Sequence, residues 1–197
     1  MSTLKFDAIV VGGGIVGCTA AYFLARKGLK VAVVERDGLA CGTSSKSFAW
    51  INGTSKTADE GYHRLNALGL AGYCELAVEF GEQALGLHPA GSLQIVRTSD
   101  STNHATSREK LRQLEAFGYP AAWVDNNALR TMEPHLTLSD DAEGLYAVSD
   151  MNLNAPQFVN FMAEQVRALG GTVMESCAAQ SLEARDDGRI TGLVTDN

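Results

Sequence analysis

The stretch AIVVGGGIVGCTAAYFLA, Ala8 to Ala25, carries no charged residue over 18 positions, and a run of that kind has two outcomes. It is a membrane-spanning helix, for which about 18 apolar residues suffice, or it is a strand, a turn and a helix folded around a small ligand. The glycines decide. Gly12, Gly13 and Gly14 are consecutive, and each glycine inside a helix costs about 1 kcal/mol relative to alanine, so a helix breaks where a span needs continuity. Before the break, Phe6 to Val11 is, apart from Asp7, apolar and rich in β-branched residues, which predicts a strand buried on both faces of a parallel sheet. After it, Ile15 to Lys27 predicts a helix with Cys18, Ala21 and Leu24 on one face.

The turn reads Gly12-x-Gly14-x-x-Gly17. Gly12 permits the tight bend, Gly14 lets a pyrophosphate approach the backbone, and Gly17 lets helix and strand pack closely. The helix start then offers N–H groups and the positive end of its dipole to phosphate oxygens. Gly28 ends the helix, and KVAVVE, Lys30 to Glu35, supplies a second buried strand ending in an acid 18 positions beyond Gly17. A carboxylate there can accept hydrogen bonds from both ribose hydroxyls, so Glu35 is the expected ribose ligand. The fingerprint does not choose between NAD and FAD, which share the ADP moiety.

Bulk properties exclude several classes. The chain has 197 residues with 45% hydrophobic and 20% charged content, 16 basic against 23 acidic side chains and a net charge of -7. Such a surface repels nucleic acid and anionic lipid. Cys18, Cys41, Cys74 and Cys177 lie far apart without a CxxC pair or a His at zinc spacing, so no metal site is expected and the thiols fit a reduced, cytoplasmic chain. MSTLKFD shows no secretory signal. The sequence says nothing of oligomeric state.

The loop CGTSSKSFAWING, Cys41 to Gly53, is small and rich in hydroxyls, suited to wrapping further phosphate and ribitol oxygens. Here the chain resembles the D-amino-acid oxidase family of flavoproteins, which includes glycine oxidase, sarcosine oxidase and D-amino-acid dehydrogenases. The resemblance rests on Gly12, Gly14, Gly17, Ala21, Leu24, Gly28, Val31 and Glu35 in one register, then on GTSS at the expected distance. It implies FAD as cofactor, with Ile15 and Val16 against the pyrophosphate and Glu35 with Arg36 flanking the adenosine ribose. It further implies that Thr43 and Ser44 contact phosphates, that Phe48, Ala49 and Trp50 lie along the flavin, and that backbone near Ala179 touches adenine. Read from the residues alone, Phe48 and Trp50 serve equally as core packing, and Lys46 is either a cation beside the flavin or a solvated loop lysine.

Beyond the loop, Tyr62, Leu65, Gly69, Tyr73, Leu76 and Phe80 recur at three to four residues, predicting a long helix over Asp59 to Phe80. His63 on that helix has no acidic partner in sequence and reads as structural or exposed rather than as a base. GSLQIVRT, AAWVD and EGLYAVSD predict strands, and SREKLRQLEAFG a capped helix ending at Gly118. The middle third is therefore α+β and antiparallel. Pro156 opens a helix with Phe158, Phe161, Met162, Val166 and Leu169 on one side, TVMES resumes a strand, and the last segment reads as a hairpin turning at Asp186 to Gly188.

The expected architecture is thus α/β: a Rossmann-like FAD-binding domain over 1–86 and 150–197, with an inserted α+β substrate-domain portion over 87–149. The resemblance covers about half of a typical family member. The later half of such proteins carries a second glycine-rich flavin motif and the groups that bind a substrate carboxylate, so this chain is expected to be part of a longer enzyme and inactive alone. No catalytic residue is assigned. The expected activity is FAD-dependent oxidation of an amino acid or related amine at a C–N bond. The alternatives are an NAD(H)-binding Rossmann protein and a nucleotide-binding module without turnover.

Overall fold

The computed structural model describes residues 4–196. The chain runs β1 (Ala8–Val11), α1 (Ile15–Arg26), β2 (Val31–Val34), β3 (Trp50–Ile51), α2 (Glu60–Phe80) and α3 (Glu82–Leu85). It continues with β4 (Leu87–His88), β5 (Ser92–Arg97), α4 (Ser101–Ala116), β6 (Ala121–Val124), α5 (Asn126–Met132) and β7 (Ala142–Ala147). It ends with β8 (Met151–Leu153), α6 (Ala155–Ala168), β9 (Thr172–Met174), β10 (Ala179–Ala184) and β11 (Ile190–Thr195). Two compact units divide it: residues 1–49, 84–86 and 154–197 form the first, and residues 50–83 with 87–153 the second.

The first unit contains a parallel sheet in the order β1-β2-β9. Ala8 pairs with Val31 and Val11 with Val34, while Ala32 to Val34 pair with Thr172 to Met174 on the other side. β2 is central and wholly buried, as its uninterrupted VAVV requires. β1 departs from the expectation of burial on both faces: Ile9 is 41% and Val11 59% exposed. As an edge strand of three, it is left open on one side. Helix α1 buries Cys18, Ala21, Tyr22 and Ala25, the i, i+3, i+4, i+7 pattern of a core-facing stripe. Tyr22 thus stands on that face where the sequence suggested Leu24, which is half-buried.

Helix α6 packs against α1 with Phe158, Val159, Met162, Ala163 and Val166 fully buried. Asn154 caps it by accepting the Gln157 N–H at 3.2 Å. Pro156 stands in the first turn, where its missing N–H costs nothing. Leu169, expected on the apolar side, follows the last turn as the C-cap and is half-exposed. β10 and β11 form the expected hairpin, with Gly188 at φ +82° in its turn.

The second unit holds two antiparallel sheets, β5-β7-β6 and β3-β8-β4. Ser92 to Arg97 pair with Ala147 to Ala142, and Ala121 to Val124 with Ala147 to Gly144. In the smaller sheet Trp50 faces Asn152, and Ile51 faces Met151. Helix α4 begins six residues before the SREKLRQLEAFG segment, at Ser101, because Asp100 accepts the Asn103 N–H at 3.2 Å and starts it across a Ser/Thr/Asn-rich stretch.

Helix α2 exists as expected, but its face is turned. His63, Leu70 and Leu76 are buried, whereas Tyr62, Leu65 and Gly69 are exposed. A histidine can occupy the inward position because its Nδ1 lies 3.1 Å from the Gly53 carbonyl and its ring packs on Phe117 and Tyr119.

Candidate functional site

The turn between β1 and α1 is built by four glycines, three of them anticipated. Gly12 adopts φ +112°, a conformation L side chains rarely hold. A Cβ on Gly17 would lie 1.9 Å from the Gly12 carbonyl oxygen, so helix and strand touch backbone to backbone there. Gly14 is different: a Cβ would meet only the Ser44 Oγ, at 3.2 Å. The space beside it is open to a ligand. Gly13 is the residue that sequence reasoning passed over; its Cβ would meet Leu39 Cδ2 at 2.8 Å and Glu35 Cβ at 3.0 Å. The uninterrupted GGG run was the available signal.

Helix α1 has no acidic residue and no side-chain cap at its N-cap Gly14. The first N–H groups of a helix have no acceptor within it. Ser44 brings its hydroxyl to this end, accepting the Ile15 N–H at 3.0 Å from a 3-10 turn over Thr43–Ser45. A side chain 29 residues away thus supplies the acceptor for one of those N–H groups. Val16 is 81% exposed in the same turn, and Thr43 is exposed beside Ser44.

Glu35 closes the other side. Its Oε2 accepts the Gly13 N–H at 2.7 Å and its Oε1 the Asp37 N–H at 2.9 Å. The carboxylate therefore holds the turn in shape, and its remaining lone pairs are the ones available to a ribose. Arg36 is exposed and paired with Asp37 at 3.2 Å. The backbone that joins this corner is Ser176 and Cys177, whose N–H groups donate to the Asp37 and Glu35 carbonyls at 2.8 and 2.9 Å. Ala179 lies just beyond them, exposed, opposite Thr195 in the hairpin.

Phe48 is 83% exposed and Ala49 is half-buried. Trp50, in the second unit, is 38% exposed, and Lys46 is exposed. All four thiols are free. Burial first, and then the Glu35 charge, push the Cys18 thiol up to about 11, so it is no nucleophile. Among the described residues no group of three or more His, Cys, Asp and Glu is placed to hold a metal ion, and no helix is long and apolar enough to cross a membrane.

A parallel βαβ unit with a glycine turn, a helix start whose N-cap is glycine and an acid after the second strand defines a dinucleotide-binding protein. The chain belongs to the FAD dependent oxidoreductase family, which it matches over residues 7–197, and FAD is the cofactor of that family. It is 22% identical over 194 residues to a glycine oxidase of Geobacillus kaustophilus, covering 95% of this chain and 50% of that protein. The chain thus spans about half the length of that relative. The glycine oxidase structure from Bacillus cereus ATCC 14579 has the same fold, with a TM-score of 0.86 at 22% identity, over 98% of this chain and 52% of that one. A mitochondrial glycerol-3-phosphate dehydrogenase of Mus musculus is 48% identical, but over only 52 residues, 26% of this chain and 7% of that protein.

The residues present fit FAD on the structure's own terms. The Gly14 flank is open, the helix end holds a neutral hydroxyl where an anion would add charge complementarity, and no carboxylate stands in the first turn. Glu35→Ala removes the acceptor of two backbone N–H groups and, with it, the carboxylate expected at the ribose. It is expected to weaken FAD binding by about 1.5–3 kcal/mol and to lower stability by about 1–3 kcal/mol. Flavin titration and urea unfolding read these separately, and an alanine variant with unchanged stability would show that Gly13 and Asp37 do not depend on Glu35.

Proposed function

We propose that the protein carrying this chain oxidises an amino acid or a related amine at its C–N bond, with FAD as the acceptor. The observation that carries this reading is the extent of the likeness to glycine oxidase, which runs through both units. The higher identity to a glycerol-3-phosphate dehydrogenase is confined to 52 residues. A nucleotide-binding segment is shared by flavoenzymes of many substrates. The second unit is what an amine oxidase and an alcohol dehydrogenase would not need in common.

Bound FAD supplies the sink for the hydride that leaves the substrate carbon and the proton that leaves its nitrogen. The product is an imine, which water hydrolyses to a carbonyl compound and ammonia or an amine. In this reading Gly12, Gly14 and Gly17 shape the pyrophosphate site, and Ile15 and Val16 lie against it at the helix start. Thr43 and Ser44 add hydroxyls to the phosphates, Glu35 and Arg36 flank the ribose, and backbone near Ala179 faces the adenine. Phe48, Ala49 and Trp50 line the ring. Their task is to hold the cofactor in one orientation and keep water from it. The same reading takes the free thiols as those of a cytoplasmic protein.

The test is anaerobic mixing of the whole, purified, flavin-loaded protein with glycine, sarcosine, D- and L-amino acids, and glycerol 3-phosphate. Loss of the oxidised flavin's visible absorbance with an amine, together with release of ammonia or a primary amine, is the expected result. Bleaching by glycerol 3-phosphate alone would overturn the amine assignment, and a colourless protein that binds NADH would overturn the flavin.

A further inference from the structure

Helix α2 of the second unit runs for 21 residues and buries only His63, Leu70 and Leu76. Away from that stripe it is open: Leu65 is 66%, Leu68 69% and Val78 91% exposed. One exposed leucine means little, but three large apolar side chains along one helix form a patch that calls for a partner. Gly61, Arg64, Leu68, Ala71, Glu75 and Val78 are all exposed and follow one another at steps of three and four residues. That is the spacing of a seam along which two helices pack. At 1.5 Å per residue the seam is about 25 Å long.

We propose that two copies of the protein pair along this seam, α2 against α2, antiparallel about a two-fold axis. Charge carries the choice of partner. Arg64 and Glu75 are exposed, and neither side chain has an ion-pair or hydrogen-bond partner among the described residues. They stand 11 residues apart, about three helical turns, and so lie on the same side of α2. A two-fold axis crossing the helices midway between positions 69 and 70 sets Arg64 of one protomer opposite Glu75 of the other. By symmetry the pair forms twice. The same axis sets Leu68 opposite Ala71 and Gly61 opposite Val78.

Orientation follows from the same charges. A parallel pair would set Arg64 beside Arg64 and Glu75 beside Glu75, and like charges brought together across an interface are strongly unfavourable. The antiparallel pair turns both contacts into attractions. It also finds room for Leu65, which the axis places opposite Cys74 of the other protomer. Cys74 stands at an apolar groove of about 280 Å³ in the second unit, lined also by Tyr73, Ala77, Leu87, Pro89 and Met151. The face thus holds a cation, a carboxylate and apolar residues in an order that a two-fold axis lays onto its own complement.

The experiment is sedimentation velocity on the whole protein and its charge variants, each first shown to melt like wild type. Wild type is expected to dimerise. Arg64→Glu and Glu75→Arg are each expected to weaken the dimer at least about tenfold, and Leu68→Glu, which sets a carboxylate beside the axis in both protomers, about a hundredfold or more. The double variant Arg64→Glu/Glu75→Arg is expected to dimerise again. So is an equal mixture of the two single variants, because each then offers the charges the other lacks. A wild type that stays monomeric up to about 100 µM would overturn the proposal, and slow amide exchange along α2 in that monomer would show that the protein's own polypeptide covers the helix. A dimer indifferent to Leu68→Glu has its interface elsewhere, and a mixture of single variants that stays monomeric would remove the antiparallel pairing. None of these readouts depends on bound flavin, so their failure is distinct from failure of the proposed reaction.

Discussion

Gly17→Ala is expected to unfold or strongly destabilise the first unit, with cofactor binding lost as a consequence. The added Cβ would lie 1.9 Å from the Gly12 carbonyl oxygen, 3.1 Å from the Gly12 carbonyl carbon and 3.4 Å from Val10 Cγ1. Two of these atoms belong to backbone, so no side chain can swing aside. Gly12 cannot retreat easily either, because its N–H is bonded to the Val34 carbonyl at 2.8 Å and its φ is +112°. Helix α1 must then lift from β1, and Cys18, Ala21, Tyr22 and Ala25 lift with it from the core. Overpacking of side chains costs about 1–3 kcal/mol, and a backbone obstruction belongs at or above the upper end. With about 2–4 °C per kcal/mol for a protein of this size, a loss of more than about 6 °C in Tm, or insoluble expression, is the expected outcome. A variant melting within about 2 °C of wild type would show that the helix is not held that close to the strand.

How far the sequence reveals such a site depends on whether its partners are near in the chain or repeat with a period. The Gly12 and Gly17 roles are legible because the geometry they serve recurs at fixed spacing, and β2 is legible because VAVV has no polar side to show. The exposure of β1 was hidden: AIVV looks as apolar as VAVV, and only the strand order places it at an edge. Helix α2 illustrates a subtler failure. Its apolar residues recur at spacings compatible with two adjacent faces, and a pattern count gives His63 no credit for the Gly53 carbonyl that makes burial tolerable. Asp150, fully buried in the second unit, had no sequence signal at all. Its three hydroxyl partners stand 31, 58 and 96 residues away, and a lone aspartate before a strand reads as a turn residue. Ser44 came into view only through resemblance to a family, because its hydroxyl meets the Ile15 N–H across 29 residues of chain.

Gly14→Val separates binding from folding, which Gly17→Ala cannot do. Gly14 is the N-cap of α1, with φ -89° and ψ -175°, an extended conformation that any residue adopts. The only atom near its added Cβ is the end of a serine side chain at 3.2 Å, and that hydroxyl can rotate or shift by tenths of an ångström. Replacing a glycine N-cap with an apolar residue costs about 0.5–1 kcal/mol, so the variant is expected to fold. The branched side chain fills the space that a pyrophosphate would need beside the backbone, next to the Ser44 hydroxyl. Displacing the phosphates from the helix start forfeits charged hydrogen bonds and the dipole together. The expected loss is at least about 4 kcal/mol, about a thousandfold in FAD affinity. The measurement pairs thermal melting of the apoprotein with flavin titration. A cooperative melt within about 3 °C of wild-type apoprotein, combined with no retained flavin, is the expected pair of results. Retained FAD in a well-folded Gly14→Val protein would remove the pyrophosphate from this turn, and with it the assignment of Ile15, Val16 and Ser44 to the cofactor.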